Sequence, residues 1–256
     1  METRIINSDK KKTLSHRDKI DKNPNILMWY SQLYKKQMEA LDYDESQSIL
    51  EIGSGASVLS KFYPKIITSD VLKMDHIKLN LDAQKLDKHP DIHAESFDAI
   101  LSTNVLHHIE KPIEFFKVAK KALKPGGKIC LTEPLFSWLG SFIYYSTYPI
   151  HKEKIDFNPI QPIIDNYKGP LSSANMALPH LILIKRKFFN YIEKDFQVKS
   201  LQYYSAISYF ATGGVKARFC FPHKIYKLLF NLDQKIADKF PMSFASFFTM
   251  VLEKTS

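Results

Sequence analysis

Five short apolar runs, separated by loops and one amphipathic stretch, most strongly constrain how this chain folds. Between the fourth and fifth runs, apolar residues in KPIEFFKVAKKAL (111–123) recur at helical spacing. Strands that alternate with helical segments predict a parallel sheet with helices packed on it. The runs are SILEIG (48–53), KIITSD (65–70), IKLNLD (77–82), FDAILSTN (97–104) and the apolar part of KPGGKICLTEP (124–134).

The loop after the first apolar run is a candidate binding element. It reads ILEIGSGAS (49–57), with Gly53 and Gly55 on either side of one serine. Glycine turns after a strand let a phosphate or another small cofactor approach the backbone. A dinucleotide site favours a third glycine where this chain has Val58, and the Gly-Lys-Ser/Thr of a Walker loop is missing. The loop alone therefore leaves the cofactor class open.

Length and composition fit one α/β domain with elaborations, or at most two small domains, and predict neither a structural metal nor a disulfide framework. The chain has 256 residues, 45% of them hydrophobic, and its two cysteines, Cys130 and Cys220, lack metal-ligand spacing. The polar N-terminus lacks the apolar segment of a signal peptide, so we expect a cytoplasmic protein. The net charge of +9 fits a lysine-rich solvated surface, or else attraction to a membrane, a nucleotide-linked substrate or a nucleic acid.

The order of motifs resembles that of class I S-adenosylmethionine (SAM)-dependent methyltransferases, in particular the methyltransferase-11-like small-molecule enzymes. LEIGSGAS is similar to their first motif, and Asp70 ends the second strand where the family has an acid. LDAQKL (81–86), SFDAILSTNVLHHIEKP (96–112) and ALKPGGKICLTEP (122–134) resemble the adenine segment and the fourth and fifth strands. The resemblance implies a Rossmann-like, seven-stranded α/β fold whose last strand is antiparallel, with a helical, aromatic-rich insertion after strand five.

The resemblance implies SAM as cofactor, S-adenosylhomocysteine as product and a set of binding residues. The acid at Asp70 faces the ribose hydroxyls, because one carboxylate offers acceptors to both, and Asp82 faces the adenine amino group. Loop amides face the cofactor's carboxylate. The expected cofactor-binding residues are Glu51, Gly53, Ser54, Gly55, Asp70, Val71, Asp82, Ala83, Asn104 and Val105.

The same resemblance divides the single domain (1–256) into parts. Residues 1–23 are charged and aperiodic, which predicts a flexible tail, and 24–134 form the SAM-binding core. Residues 135–190 form a lid over the substrate, and 191–256 hold the last strands. That last part contains a basic amphipathic helix at 222–239 with one apolar face, made of Ile225, Leu228, Leu229, Leu232 and Ile236.

Histidines are the candidate general bases for an oxygen or nitrogen acceptor. His107 follows strand four, and His151 lies in the lid within an HxE…D pattern that precedes GPLSSANMALP (169–179). The pattern resembles that of a subset of bacterial methyltransferases associated with surface-glycan and lipid-related gene neighbourhoods, and this resemblance implies a lipid- or glycan-linked acceptor. The expected acceptor-binding residues are His108, Trp138, Tyr145, Ser173 and Asn175.

We therefore expect methyl transfer to oxygen on a small or lipid-linked acceptor, with no metal. The alternatives are methylation of nitrogen or carbon on a soluble metabolite, and a catalytically silent SAM-binding partner subunit. STNVLHH replaces the NPPY-like motif of enzymes that methylate nucleic-acid amino groups, which disfavours nucleic acid as substrate. Two interpretations are open for three segments: the aromatic residues of 136–148, KRK (185–187) and the basic helix. They form lid core and solvated surface, or they make a peripheral contact with the inner face of an anionic membrane.

Overall fold

Seven strands form one mixed sheet in this computed structural model, which describes residues 2–147, 169–170, 174–214 and 220–255. The strands are β1 (Ile49–Ile52), β2 (Ile67–Asp70), β3 (Leu79–Asn80), β4 (Phe97–Thr103), β5 (Leu123–Pro134), β6 (Phe196–Tyr204) and β7 (Phe247–Lys254). Their order is β3-β2-β1-β4-β5-β7-β6. The first five are parallel, and β7 is antiparallel to β5 and β6. The predicted seven-stranded class I fold is confirmed.

Eight α-helices accompany the described sheet. They are α1 (Glu2–Lys22), α2 (Pro24–Leu41), α3 (Leu59–Phe62), α4 (Pro112–Ala122), α5 (Trp138–Thr147), α6 (Ser208–Ala211), α7 (His223–Lys239) and α8 (Pro241–Phe244). The Asn23 side chain caps α2 by accepting hydrogen bonds from the amides of Asn25 and Ile26. No helix in these described ranges is long and apolar enough to cross a membrane.

The core consists of two layers, because neighbouring side chains on a strand point to opposite faces of the sheet. Leu50 and Ile100 belong to the cluster that packs with α4, whereas Ile49 and Leu101 belong to the cluster that packs with α2. These central strands are buried on both faces, as a parallel sheet covered by helices requires.

The prediction of a flexible tail at 1–23 is wrong for Glu2–Lys22, which form α1. Ile20 is buried, and so are the polar side chains of Asp9 and Thr13. Helix α1 lies against the glycine loop: a methyl group built on Gly55 would come within 2.7 Å of Thr13 Cγ2. Because two of these buried positions are polar, the segment lacks the apolar period that predicts a packed helix.

The topology places most functional candidates at one edge of the sheet. Strands β1, β2, β4 and β5 all end there, which is where parallel α/β sheets bind ligands. Strand β7 begins at this edge, since Pro134 at the end of β5 pairs with Phe247. Helices α5 and α8, which adjoin these two strand ends, therefore also lie at the carboxyl edge.

Candidate functional site

The glycine loop packs closely against both neighbouring strand ends. Gly53 has φ +73°, and a methyl group built on it would lie 2.4 Å from Val105 Cγ2. The Gly55 amide donates a hydrogen bond of 2.9 Å to Asp70 Oδ2. Both positions exclude a side chain, so the backbone itself lines the space above the sheet.

Asp70 lies at the end of β2 with both carboxylate oxygens held by the backbone. Oδ2 accepts from Gly55, and Oδ1 accepts from the amide of Leu72 at 2.7 Å. Burial raises the pKa of Asp70 above its usual value, against the effect of these two hydrogen bonds. A carboxylate oxygen has two lone pairs, so each keeps one for a ligand hydroxyl. Val71, the next residue, is half exposed beside it.

Glu51 is a buried acid below the glycine loop. Its Oε2 has no hydrogen-bond partner among the described residues. Burial raises the pKa of its carboxyl to about 7, although Ser57, Ser54 and, to a smaller extent, Arg17 favour the charged form. Ser54 is buried beside it and joins the loop to β2, because its Oγ donates to the Glu51 carbonyl and accepts from the Ser69 amide. An orphaned buried carboxylate oxygen and a cradle without side chains fit a cofactor that carries positive charge.

Asp82 and Ala83 lie where the chain leaves β3 for a short 3₁₀ turn. Asp82 Oδ1 caps this turn by accepting from the Gln84 amide at 2.9 Å, and Lys85 lies 3.4 Å from its Oδ2. Ala83 packs against the core. Asp82 thus has a local capping role alongside the adenine contact that the sequence predicts.

The turn after β4 is organised by Glu133, which the motif comparison did not single out. Glu133 is fully buried at the end of β5, and its Oε1 accepts from the amides of Val105 and Leu106 at 2.8 and 2.6 Å. Its Oε2 lies 2.6 Å from His107 Nδ1. Where the Glu133 carboxylate accepts, Nδ1 is the donor nitrogen, and in the neutral ring Nε2 is then the hydrogen-bond acceptor. The available signal was an acid at the end of a buried strand.

Asn104 and Asn175 lie on either side of this turn. Asn104 adopts a left-handed φ of +59°, and the Asn175 amide donates to the His107 carbonyl at 2.8 Å. The side-chain Oδ1 atoms of both are buried without a partner in the described chain. The His108 ring lies 4.3 Å from the His107 ring, measured between centroids. The structure therefore brings Asn175 to the catalytic candidate His107.

His180 is a second residue that sequence analysis missed. It begins a π-helical turn (His180–Ile184), and its ring lies 5.9 Å from that of Phe136. Neither ring nitrogen has a hydrogen-bond partner in the described residues, and burial lowers its pKa to about 4, with Lys185 acting in the same direction. A buried neutral imidazole without a partner is a candidate contact for a polar ligand group.

The other residues predicted to act on the acceptor are Trp138, Tyr145, His151 and Ser173. Trp138 is 74% exposed at the start of α5, so most of its side chain faces solvent. His151 and Ser173 lie outside the described residues, as does the side chain of Tyr145. Within the described ranges, no group of three or more His, Cys, Asp or Glu side chains is placed to hold a metal ion.

Comparison with known proteins identifies the family. A family model described as a methyltransferase domain matches residues 29–175, more than half of the chain. The chain is a class I SAM-dependent methyltransferase. SAM is therefore the cofactor of this chain, and the matched range includes the glycine loop, Asp70, the His107 turn and Asn175.

Other similar proteins match this chain at low sequence identity. The ubiquinone biosynthesis O-methyltransferase of Hydrogenovibrio crunogenus is 27% identical over 107 residues, which cover 36% of this chain and 43% of that relative. The match therefore spans less than half the length of the curated relative. SAM-dependent methyltransferases of known structure from Archaeoglobus fulgidus (15% identity, 88% of this chain and 94% of that chain) and Thermotoga maritima (14%, 96% and 100%) superpose with TM-scores of 0.50. At these identities the structures support the fold.

Proposed function

We propose that this methyltransferase methylates an oxygen atom of a small or lipid- or glycan-linked acceptor, with His107 as general base. The buried contact of 2.6 Å between His107 Nδ1 and Glu133 Oε2 carries the proposal. A carboxylate that holds one imidazole nitrogen fixes the tautomer and leaves the other nitrogen free to take a proton. An acceptor hydroxyl that hydrogen-bonds to Nε2 would lose its proton to His107 as the new bond forms.

The glycine loop, the acid that ends β2 and the acid that follows β3 would hold the cofactor. When bound, SAM supplies an electrophilic methyl group whose transfer releases a neutral thioether. The backbone of Gly53 and Gly55 forms the cradle, Asp70 accepts from the ribose hydroxyls and Asp82 from the adenine amino group. The Glu51 carboxylate lies below this cradle and compensates positive charge.

Two buried polar groups support an acceptor with several polar atoms. Asn175 contacts the backbone of His107, and its Oδ1 is unpaired. His180 supplies two unpaired ring nitrogens from the turn that follows Asn175. Polar groups that are buried without partners are costly, so a ligand that pairs with them gains affinity and orientation. We propose that both contact the acceptor, with His108 beside them.

Oxygen is favoured over nitrogen or carbon by a specific observation. An amine acceptor favours an acidic cluster near the methyl group, whereas Glu133 already accepts hydrogen bonds from three groups of this chain. The relative from H. crunogenus is by name an O-methyltransferase. Methylation of a soluble metabolite at nitrogen or carbon, and a silent SAM-binding subunit, are the alternatives that the test separates.

The test is transfer of isotope-labelled methyl from SAM to a lipid and metabolite extract of the producing cells. We expect label in one compound class, released as methyl iodide by hot hydriodic acid because it is bound to oxygen. His107→Gln and Glu133→Gln should lower turnover on the order of a hundredfold while the Kd for SAM changes little. Label that resists hydriodic acid would overturn the oxygen assignment, and normal turnover in both variants would exclude His107 as base.

A further inference from the structure

Helix α7 carries an apolar stripe on its solvent side. Tyr226, Phe230, Asp233 and Ala237 form the face of α7 that packs on the domain. The apolar face predicted from the sequence is a different one and is exposed, with Leu228 at 73% and Leu232 at 57%. The described fold therefore leaves one of the two apolar faces of this helix in water.

Further large apolar side chains are exposed on α8, which contacts α7, and on α5, which contacts α8. Phe240 and Met242 are exposed at the start of α8, and α8 contacts both α5 and α7. Trp138 on α5 is the most exposed of the large apolar side chains of the described chain. We define the docking face by its principal exposed side chains: Trp138, Leu228, Leu232, Ile236, Phe240 and Met242. Exposed apolar side chains grouped on three successively contacting helices mark an interaction site rather than ordinary surface.

Exposed lysines lie beside the docking face, whereas the two acids of α7 interact with other residues of the domain. Lys224, Lys235 and Lys239 are exposed, and helical periodicity places them along the side of the stripe that faces away from the domain. Of the two acids of α7, Asp233 is buried and accepts from the amides of Ala206 and Ile207. Asp238 lies 3.8 Å from Lys36 and accepts from Gln234. The face thus combines aliphatic and aromatic side chains with a row of positive charges.

We infer that the docking face binds an anionic phospholipid bilayer. Apolar side chains on one side of a helix and lysines beside them are the features of a helix that lies in the membrane interface, and anionic headgroups attract each nearby lysine. Helices α5 and α8 adjoin the carboxyl edge of the sheet, so the membrane would lie at the edge that also carries the candidate acceptor residues. The inference rests on the proposed function only for that last step, delivery of a lipid-linked acceptor.

Cosedimentation of the full chain with vesicles tests the inference. We expect binding to vesicles of phosphatidylcholine with phosphatidylglycerol, and much weaker binding to phosphatidylcholine alone. Leu228→Glu/Leu232→Glu should weaken the vesicle affinity on the order of tenfold or more, because two apolar side chains no longer enter the interface. Lys224→Gln/Lys235→Gln/Lys239→Gln should weaken it on the order of a hundredfold at low salt.

The matched control is Val198→Glu/Leu201→Glu, which makes the same change at exposed positions of β6 outside the docking face. It should bind vesicles as the unmodified chain does. All variants should keep the Kd for SAM, measured by calorimetry, so a failure of the docking face is separate from a failure of the cofactor site. Absence of vesicle binding by the unmodified chain would overturn the inference. So would equal loss in the control, or a dimer that Leu228→Glu/Leu232→Glu dissociates without any vesicle binding.

Discussion

At the scale of single residues, the glycine loop depends on two separable effects, backbone conformation and space. Gly53 and Gly126 both have positive φ, at +73° and +69°, but a methyl group on Gly53 would meet Val105 whereas nothing lies within 4 Å of one on Gly126. A comparison of alanine substitutions at the two glycines therefore separates the effect of the close contact with Val105 from the cost of left-handed backbone.

We expect Gly126→Ala to lower the free energy of unfolding by about 1 kcal/mol, the cost of left-handed backbone. Gly53→Ala should cost about 1–3 kcal/mol more, since it also overpacks Val105, and should weaken SAM binding. Urea unfolding measures the free energy of unfolding, and calorimetry measures the Kd for SAM. Val105→Ala in the Gly53→Ala background should recover part of the extra loss. Equal losses at the two glycines would show that the contact with Val105 is unimportant.

Asp70 offers a second prediction at the residue scale. Asp70→Asn keeps the size of the side chain but removes its charge, so the Kd for SAM should rise at least tenfold, as hydrogen bonds to a charged group contribute about 1.5–3 kcal/mol each. The control is a cofactor analogue that lacks a ribose hydroxyl. It should bind the unmodified chain more weakly than S-adenosylhomocysteine does, but show a smaller difference in Asp70→Asn. The same difference in both proteins would mean that Asp70 does not contact the ribose.

At the scale of elements, the central strands were predictable and the N-terminal helix was not. Strands β1 and β4 are short, mostly apolar runs buried on both faces, so hydrophobicity alone locates them. Helix α1 has few buried positions, and Asp9 and Thr13 are among them. Helix α7 was predicted, but its sequence does not reveal which of its two apolar faces packs on the domain. Glu133 and His180 depend on contacts between distant segments, which periodicity cannot show.

The packing of α1 gives a prediction with a control on the same helix. Ile20 is 2% exposed and Leu14 is 41% exposed. Ile20→Ala should lower the free energy of unfolding by about 2–4 kcal/mol, because it leaves a cavity, whereas Leu14→Ala should cost less than about 1 kcal/mol. Urea unfolding distinguishes this packed helix from a flexible tail, for which both substitutions would be neutral.

At the scale of the whole molecule, two buried groups make opposite contributions to stability as pH changes. The pKa of Glu51 is raised from 4.5 to about 7 by burial, so the folded chain binds more protons than the unfolded one in that window and stability falls as pH rises through it. The pKa of His180 is lowered from 6.5 to about 4, chiefly by burial, so stability falls as pH drops through that window. Between about pH 4.5 and 6.5 the two effects oppose each other.

Removing either group should therefore leave a pH dependence of the free energy of unfolding that reflects the other group. Relative to the unmodified chain, Glu51→Gln should gain about 3 kcal/mol of stability as pH rises from about 4.5 to 7. His180→Phe should gain a similar amount, again relative to the unmodified chain, as pH falls from about 6.5 to 4. Urea unfolding across this range measures both differences, and Asp91→Asn, an exposed acid, is the control that should remain parallel to the unmodified chain. If both variants stay parallel as well, neither group is held at an unusual pKa by the fold.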